Sequence, residues 1–305
     1  MSVVCGTDFS DDATVAARVA ASIAARLGQP LELVHVLDAE AFEAAGHAWP
    51  ERAHAERRLN EHAAALRADL GAEVAPILDV GPPHEVLARR AERGGARLIV
   101  VGSLGKTRQQ LWLLGSVAER VVQTSSLPVL VVREARGLEA WLRGEKALRV
   151  VVGVERTELA RAALAWARGL RAVGPCDLIV ARIAWPAAEH ERLGSSTPVP
   201  LDHLRPDVER VLVQELEEWA SGEGARGQGE ENGPGSTAYV VRAGWGRVDG
   251  HLTQVASEQG ADLLVVGTHQ RAGIARLWQG SVSRGVLHCA AMSVACIPRA
   301  KQSRP

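Results

Sequence analysis

The residues best arranged for chemistry lie between Gly102 and Ser116, where the chain reads GSLGKTRQQLWLLGS. Glycines stand at Gly102, Gly105 and Gly115, and Ser116 follows the last of them. The stretch comes directly after the apolar run Leu98-Ile99-Val100-Val101 and leads into a helical pattern that begins Ser116-Val117-Ala118. A glycine has no Cβ, so its backbone N–H can come close to a phosphate oxygen. A helix start adds unpaired N–H groups and the positive end of the helix dipole. Holding an anion is therefore the chemistry expected here. Two familiar phosphate loops fail at named positions. Gly105-Lys106-Thr107 is like the end of a Walker A loop, but that loop needs a glycine where Val100 stands. The dinucleotide pattern GxGxxG fails because two residues, Ser103 and Leu104, separate the first two glycines. The plainer alternative is an ordinary strand-to-helix loop that uses glycines only for turning.

Other chemistry-bearing residues give less. Lys106 and Arg108 lie inside the loop, where each is either a charged contact to phosphate or a solvated loop charge. Trp112 is expected to pack the loop down. Asp11 and Asp12 are adjacent at a helix start and point apart, so they read as N-cap and first-turn charges rather than a catalytic pair. His54 and His62 lack a companion at metal spacing, and His35, within a strand, reads as core. No Ser/His/Asp set, nucleophile elbow or convergent base stands at the loop. Cys5, Cys176, Cys289 and Cys296 have no paired spacing. Cys5 and Cys296 sit in apolar strand-like runs and read as small buried hydrophobes in a reducing cytoplasm, not as part of a disulfide or zinc framework.

These residues need elements to hold them. A chain of 305 residues predicts two domains. Apolar content of 47% and charged content of 23% are ordinary for a globular protein, and a net charge of -1 argues against a nucleic-acid or membrane-surface partner. No apolar run is long enough for a membrane span, and the N-terminus shows no basic region of a signal peptide. The chain is a repeat. Gly95–Ser103 recurs as Gly260–Thr268, Gly115-Ser116-Val117 as Gly280-Ser281-Val282, and Val4–Asp8 aligns with Val151–Glu155. The spacing predicts two similar domains, 1–144 and 145–305.

In the first copy, strands are expected at Ser2–Gly6, Leu31–Leu37, Glu73–Val80, Leu98–Val101 and Pro128–Arg133. Helices are expected at Ala13–Leu27 (N-capped by Ser10 or Asp11), Glu51–Leu70, His84–Arg93 and Ser116–Thr124. The second copy repeats the series. Its extra residues fall mostly in a Pro/Gly/Ser-rich stretch between Pro186 and Ser236, within which 222–235 is polar and predicted to be poorly ordered. Strands alternating with helices predict an α/β fold with parallel sheets and right-handed crossovers.

The pattern Gly102-x2-Gly105-x9-Gly115-Ser116 resembles the nucleotide loop of the universal stress protein family, G-x2-G-x9-G-[S/T], and matches it at every fixed position. With the repeat, the resemblance covers essentially the whole chain, as a tandem member. It implies two Rossmann-like domains, each a five-stranded parallel sheet in the order 3-2-1-4-5 with helices on both faces. The order reverses between strands one and four, where open α/β sheets bind ligands. The resemblance implies ATP, or AMP or ADP, as the ligand, with Mg2+ on the phosphates. It implies that Gly6, Thr7 and Asp8 lie beside the adenosine, with Asp8 accepting from a ribose hydroxyl. Asp8 as a helix N-terminal charge is the alternative. Val36 would offer backbone groups to the adenine edge, or be purely structural. Val101, Gly102 and Gly105 would line the ribose and phosphates, and Gly115, Ser116 and Val117 would hold the phosphate tail. The family also implies pairing of domains through strand five, here Val129–Val132 with Val294–Ile297, and leaves room for a homodimer.

The second copy departs from the pattern. Glu155 replaces Asp8, Arg156 replaces Phe9, and Gln270 stands where the second loop glycine belongs. Nucleotide binding is therefore expected in the first domain, with the second binding weakly, binding something else or empty. Three function classes follow: a cytoplasmic nucleotide-binding stress regulator with at most slow ATP hydrolysis, a scaffold that has lost nucleotide binding, and an ATP-dependent enzyme. Thr7-Asp8-Phe9-Ser10 does not supply the loop after strand one that the enzyme class needs.

Overall fold

The computed structural model describes residues 1–37, 50–104, 114–194, 200, 202–222, 233–268 and 282–299. The chain divides into two compact units, Met1–Arg143 and Gly144–Arg299. In the first unit the elements run β1 (Val3–Gly6), α1 (Asp11–Arg26), β2 (Leu31–Leu37), α2 (Pro50–Leu70), β3 (Val74–Val80), α3 (Pro83–Arg93), β4 (Leu98–Gly102), α4 (Ser116–Thr124), β5 (Val129–Val132) and α5 (Arg136–Leu142). In the second they run β6 (Leu148–Gly153), α6 (Glu158–Gly169), β7 (Cys176–Ala184), α7 (Pro186–Arg192), α8 (Pro206–Ser221), β8 (Thr237–Ala243), α9 (Val248–Glu258), β9 (Leu263–Thr268), α10 (Val282–Cys289) and β10 (Ser293–Pro298).

The first unit orders its strands β3-β2-β1-β4-β5, with every neighbouring pair parallel. The second orders them β8-β7-β6-β9-β10, again parallel throughout. This is the 3-2-1-4-5 order expected from the sequence, twice. Register fixes the reversal point: Val3 pairs with Leu31 on one side and Leu98 on the other. The central strands are apolar on both faces because helices cover both, and Val3, Val4, Cys5, Val100, Val150, Val151 and Val152 are fully buried.

Helix α1 shows how local sequence makes this packing. Ser10 is its N-cap, its Oγ accepting from the Ala13 N–H at 3.3 Å. The buried face is mostly alanine: Ala13, Ala16, Ala17, Ala20, Ala21 and Ala24, with Val19 and Ile23. Small side chains let the helix backbone lie close to the sheet. At Gly102 the approach is so close that a Cβ would sit 3.0 Å from the Asp12 carbonyl carbon and oxygen.

Two helices were not expected. Helix α5 buries Leu138, Trp141 and Leu142 and packs against α1, where Arg26 donates to the Leu142 carbonyl at 2.6 Å. Helix α7 forms inside the stretch read as Pro/Gly/Ser-rich, starting at Pro186. The far end of the predicted flexible segment is also ordered. The Pro234 carbonyl accepts from the Cys176 N–H at 2.9 Å, and Asp177 accepts from both the N–H and the hydroxyl of Ser236. The rest of that segment, 223–232, lies outside the described residues.

Candidate functional site

The site is built where β1 and β4 end side by side. Past Gly6, Thr7 continues the ladder, its N–H donating to the Val34 carbonyl at 2.9 Å. The chain then turns sharply into α1. Asp8 Oδ1 accepts from the Ser10 N–H at 3.0 Å and from the Ser10 hydroxyl at 2.6 Å, and the Phe9 N–H donates to Thr7 Oγ1 at 3.1 Å. The turn forces Phe9 to φ 63°, a left-handed conformation uncommon for a side chain of this size. Its ring stacks at 4.3 Å on His35, and the Arg58 guanidinium lies 4.5 Å from the ring centroid. His35 Nδ1 donates to the Thr7 carbonyl at 2.7 Å, which fixes the imidazole against the turn.

The end of β4 is held by a residue that sequence reasoning left as a simple helix charge. Asp12 Oδ2 accepts from the Ser103 hydroxyl and from the Leu104 N–H, both at 3.2 Å. Ser103 is buried and is a junction. Its N–H donates to the Val132 carbonyl at 2.9 Å, and its carbonyl accepts from the Gly115 N–H at 2.8 Å. The two ends of the glycine loop are thus clasped together while 105–113 lie outside the described residues. That segment includes Gly105, Lys106, Arg108 and Trp112. The signal for Asp12 was its place in the first turn of a helix that packs against β4. Sequence spacing carries no sign of that contact.

Gly115 is the N-cap of α4 at φ −61° and ψ 138°, with no side chain to cap it. The conformation is open to any residue, so glycine contributes the absence of a side-chain acceptor. The first-turn N–H groups of α4 are left for a ligand, and Ser116 and Val117 are exposed.

Between these parts is a crevice of about 260 Å³. Gly6, Thr7, Asp8, Val36, Val101, Gly102, Gly115, Ser116 and Val117 all line it, together with His35, Pro83, Leu87 and Leu104. The lining brings together every candidate site residue but Gly105. His35, read from sequence as core, is both buried and a crevice wall. Cys5, which precedes Gly6, is fully buried, and burial pushes its thiol up to about 12, so it stays protonated and inert. Cys176 and Cys296 are likewise buried, and Cys289 is exposed.

The second unit has a crevice of about 280 Å³ at the equivalent place. Thr7 is replaced by Val154, Asp8 by the exposed Glu155, and Asp12 by Leu159. Leu159 lies across Gly267, where a Cβ would come within 2.5 Å of its Cγ. The carboxylate tether is gone, and Thr268, the counterpart of Ser103, accepts instead from Ser283 at 3.3 Å. Arg182 stands at the position of His35 and is paired with Glu189. Gln270, Gly280 and Ser281 lie outside the described residues.

Two α/β units of one topology, each with a crevice at the reversal of strand order, define a tandem doubly wound protein. The chain belongs to the universal stress protein family, which it matches over residues 1–133 and 147–298. Universal stress protein Rv2005c of Mycobacterium tuberculosis is 27% identical over 96% of this chain and 95% of its own length. Universal stress protein MJ0577 of Methanocaldococcus jannaschii is 48% identical over 65 residues, 21% of this chain and 40% of that protein. Among solved structures, a universal stress protein from Archaeoglobus fulgidus is similar with a TM-score of 0.65 at 17% identity, covering 98% of both chains, a likeness of fold. Among the described residues no helix is long and apolar enough to cross a membrane.

Proposed function

We propose that the N-terminal unit binds ATP, or AMP or ADP, and that the chain acts as a cytoplasmic stress-response sensor or regulator with at most slow ATP hydrolysis. The observation that carries this reading is the crevice at the β1/β4 reversal, where Gly6, Thr7 and Asp8 face Gly102, Gly115 and Ser116. Its volume is near the lower end of the ~300–1,000 Å³ usual for small-molecule sites. Its walls suit the parts of a nucleotide. Leu87, Val34 and Pro83 are apolar surface for a base, with Val36 backbone groups at the edge. Asp8 keeps a carboxylate at the wall to accept from a ribose hydroxyl, although its Oδ1 also serves the turn. Ser116 and Val117 offer backbone N–H groups to phosphates, beside Gly102 and Gly115, which have no side chain to stand in the way, and Gly105 from the intervening loop. Mg2+ would neutralise phosphate charge, taking its oxygens from the nucleotide and water. Four free thiols support a reducing compartment.

Isothermal titration of the full chain with ATP tests this. One site per chain is expected, and Gly115→Trp, which crowds the start of α4, abolishes the heat. Two equivalent sites, or no change in Gly115→Trp, would overturn the reading.

A further inference from the structure

The C-terminal crevice lacks the carboxylate tether of the first and keeps a floor that suits a flat ring. Its floor is apolar: Ala181, Ile183, Leu252 and Val266 line it as Val34, Val36, Leu87 and Val101 line the first. The tether that holds the loop end in the N-terminal unit is replaced by Leu159. Close in sequence to this floor the second unit carries Trp185 and Trp245, where the first has Asp38 and Pro82. The equivalence is set by matching hydrogen bonds: the Gly81 N–H donates to the Leu37 carbonyl, and the Gly244 N–H to the Ala184 carbonyl. Trp245 therefore takes the place of Pro82, and Trp185 follows β7 where Asp38 follows β2.

Both tryptophans are exposed, Trp185 by 51% and Trp245 by 56%. They leave adjacent strands just past the paired residues Ala184 and Ala243, at the carboxyl edge where the crevice opens. They are two and three residues from the crevice walls Ile183 and Val248. Trp245 is held in place: His251 packs edge-on to its ring with centroids 6.1 Å apart, and His251 Nε2 lies 2.8 Å from the Trp245 carbonyl oxygen. Large aromatic faces left in water a few residues from an apolar cavity can serve as a platform for stacking.

We propose that the C-terminal crevice is a second ligand site, for a flat, uncharged ring compound of nucleoside size or smaller, stacked on Trp185 and Trp245. A planar ring gains from both the apolar floor and the indole faces, and an uncharged one asks for no phosphate cradle. This goes beyond the nucleotide reading of the N-terminal unit and does not depend on it.

The probe is adenosine, titrated into the full chain under saturating ATP and followed by calorimetry and intrinsic fluorescence. Adenosine binding that persists under ATP is expected. Trp185→Ala and Trp245→Ala should each weaken it about tenfold, and Val248→Trp, entering from a half-exposed wall, should abolish it. ATP affinity should be unchanged in all three, which also shows that the variants are folded. Adenosine displaced fully by ATP would overturn the proposal. So would tryptophan variants that bind adenosine normally yet lose self-association in sedimentation, since the pair would then be a protein docking surface. Failure of ATP itself to bind would sink the N-terminal reading alone, because adenosine binding and its loss in the three variants are measured equally well without ATP.

Discussion

At the scale of single residues, Asp12 and Gly102 carry the geometry of the N-terminal loop. Asp12 serves two donors from the loop end, and Gly102 leaves room for the α1 backbone beside them. Removing the Asp12 carboxylate strands the Leu104 N–H and the buried Ser103 hydroxyl. Asp12→Ala should lower stability by about 1 kcal/mol in urea unfolding, and should weaken ATP binding about tenfold because the clasped loop ends loosen. An Asp12→Ala protein that binds ATP as the wild type does would show that the tether serves the fold alone. Gly102→Ala puts a Cβ against main-chain atoms that have no freedom to swing away, so a loss of about 1–3 kcal/mol is expected. The sequence made Gly102 legible as a glycine of the loop, and the close approach of α1 adds a second demand for it. Which residues line the crevice was readable from a motif and a strand order. What braces them was not, because Asp12 and Ser103 are 91 positions apart and meet only because α1 packs on β4.

At the scale of elements, strands were readable because four or five buried apolar residues in a row leave no other reading for a sheet covered on both faces. The short helices were not. The seven residues of α5 include Gly137, and those of α7 sit among proline, glycine and serine, so neither offers enough turns for a period to show. Their stability comes from tertiary contacts such as buried Trp141. The same holds for the end of the polar segment before β8, pinned by Asp177. Hydrogen bonds from the Ser236 N–H and then its hydroxyl hold the Asp177 carboxyl below the usual carboxylate range. A depressed carboxyl contributes stability above its unfolded value and loses it as pH falls through the folded one. The melting temperature of Asp177→Ala should therefore sit below that of the wild type at neutral pH. The gap should close on acidification below the ordinary carboxylate range. A gap constant from pH 7 to pH 3 would mean that the ionised Asp177 carboxylate is not what anchors the segment.

At the scale of the whole molecule, one topology is used twice with different chemistry at the mouth of each sheet. The repeat was plain in the sequence because strand four and its glycine recur with so little change. The divergence was plain only in part: Gln270 could be read, whereas Leu159 replacing Asp12 gained meaning once Gly267 was seen beneath it. A protein of this kind should respond to nucleotide in one half. At an ATP concentration of 100 times the dissociation constant, a site stabilises the state that binds by about 2.7 kcal/mol. Hydrogen exchange measured on the full chain should then show slowed exchange in β1, the turn at Thr7–Ser10, the end of β4 and the start of α4. The matching segments of the C-terminal unit, at β6, β9 and α10, should exchange as they do without ATP. The contrast is sharp because the two crevices are of similar size. A difference in protection cannot come from the presence of a cavity in one half and its lack in the other, and must come from the side chains and loop glycines around it. Equal protection of both halves would mean that Glu155 and Leu159 are compatible with polyphosphate after all, and that the asymmetry in sequence has no counterpart in binding.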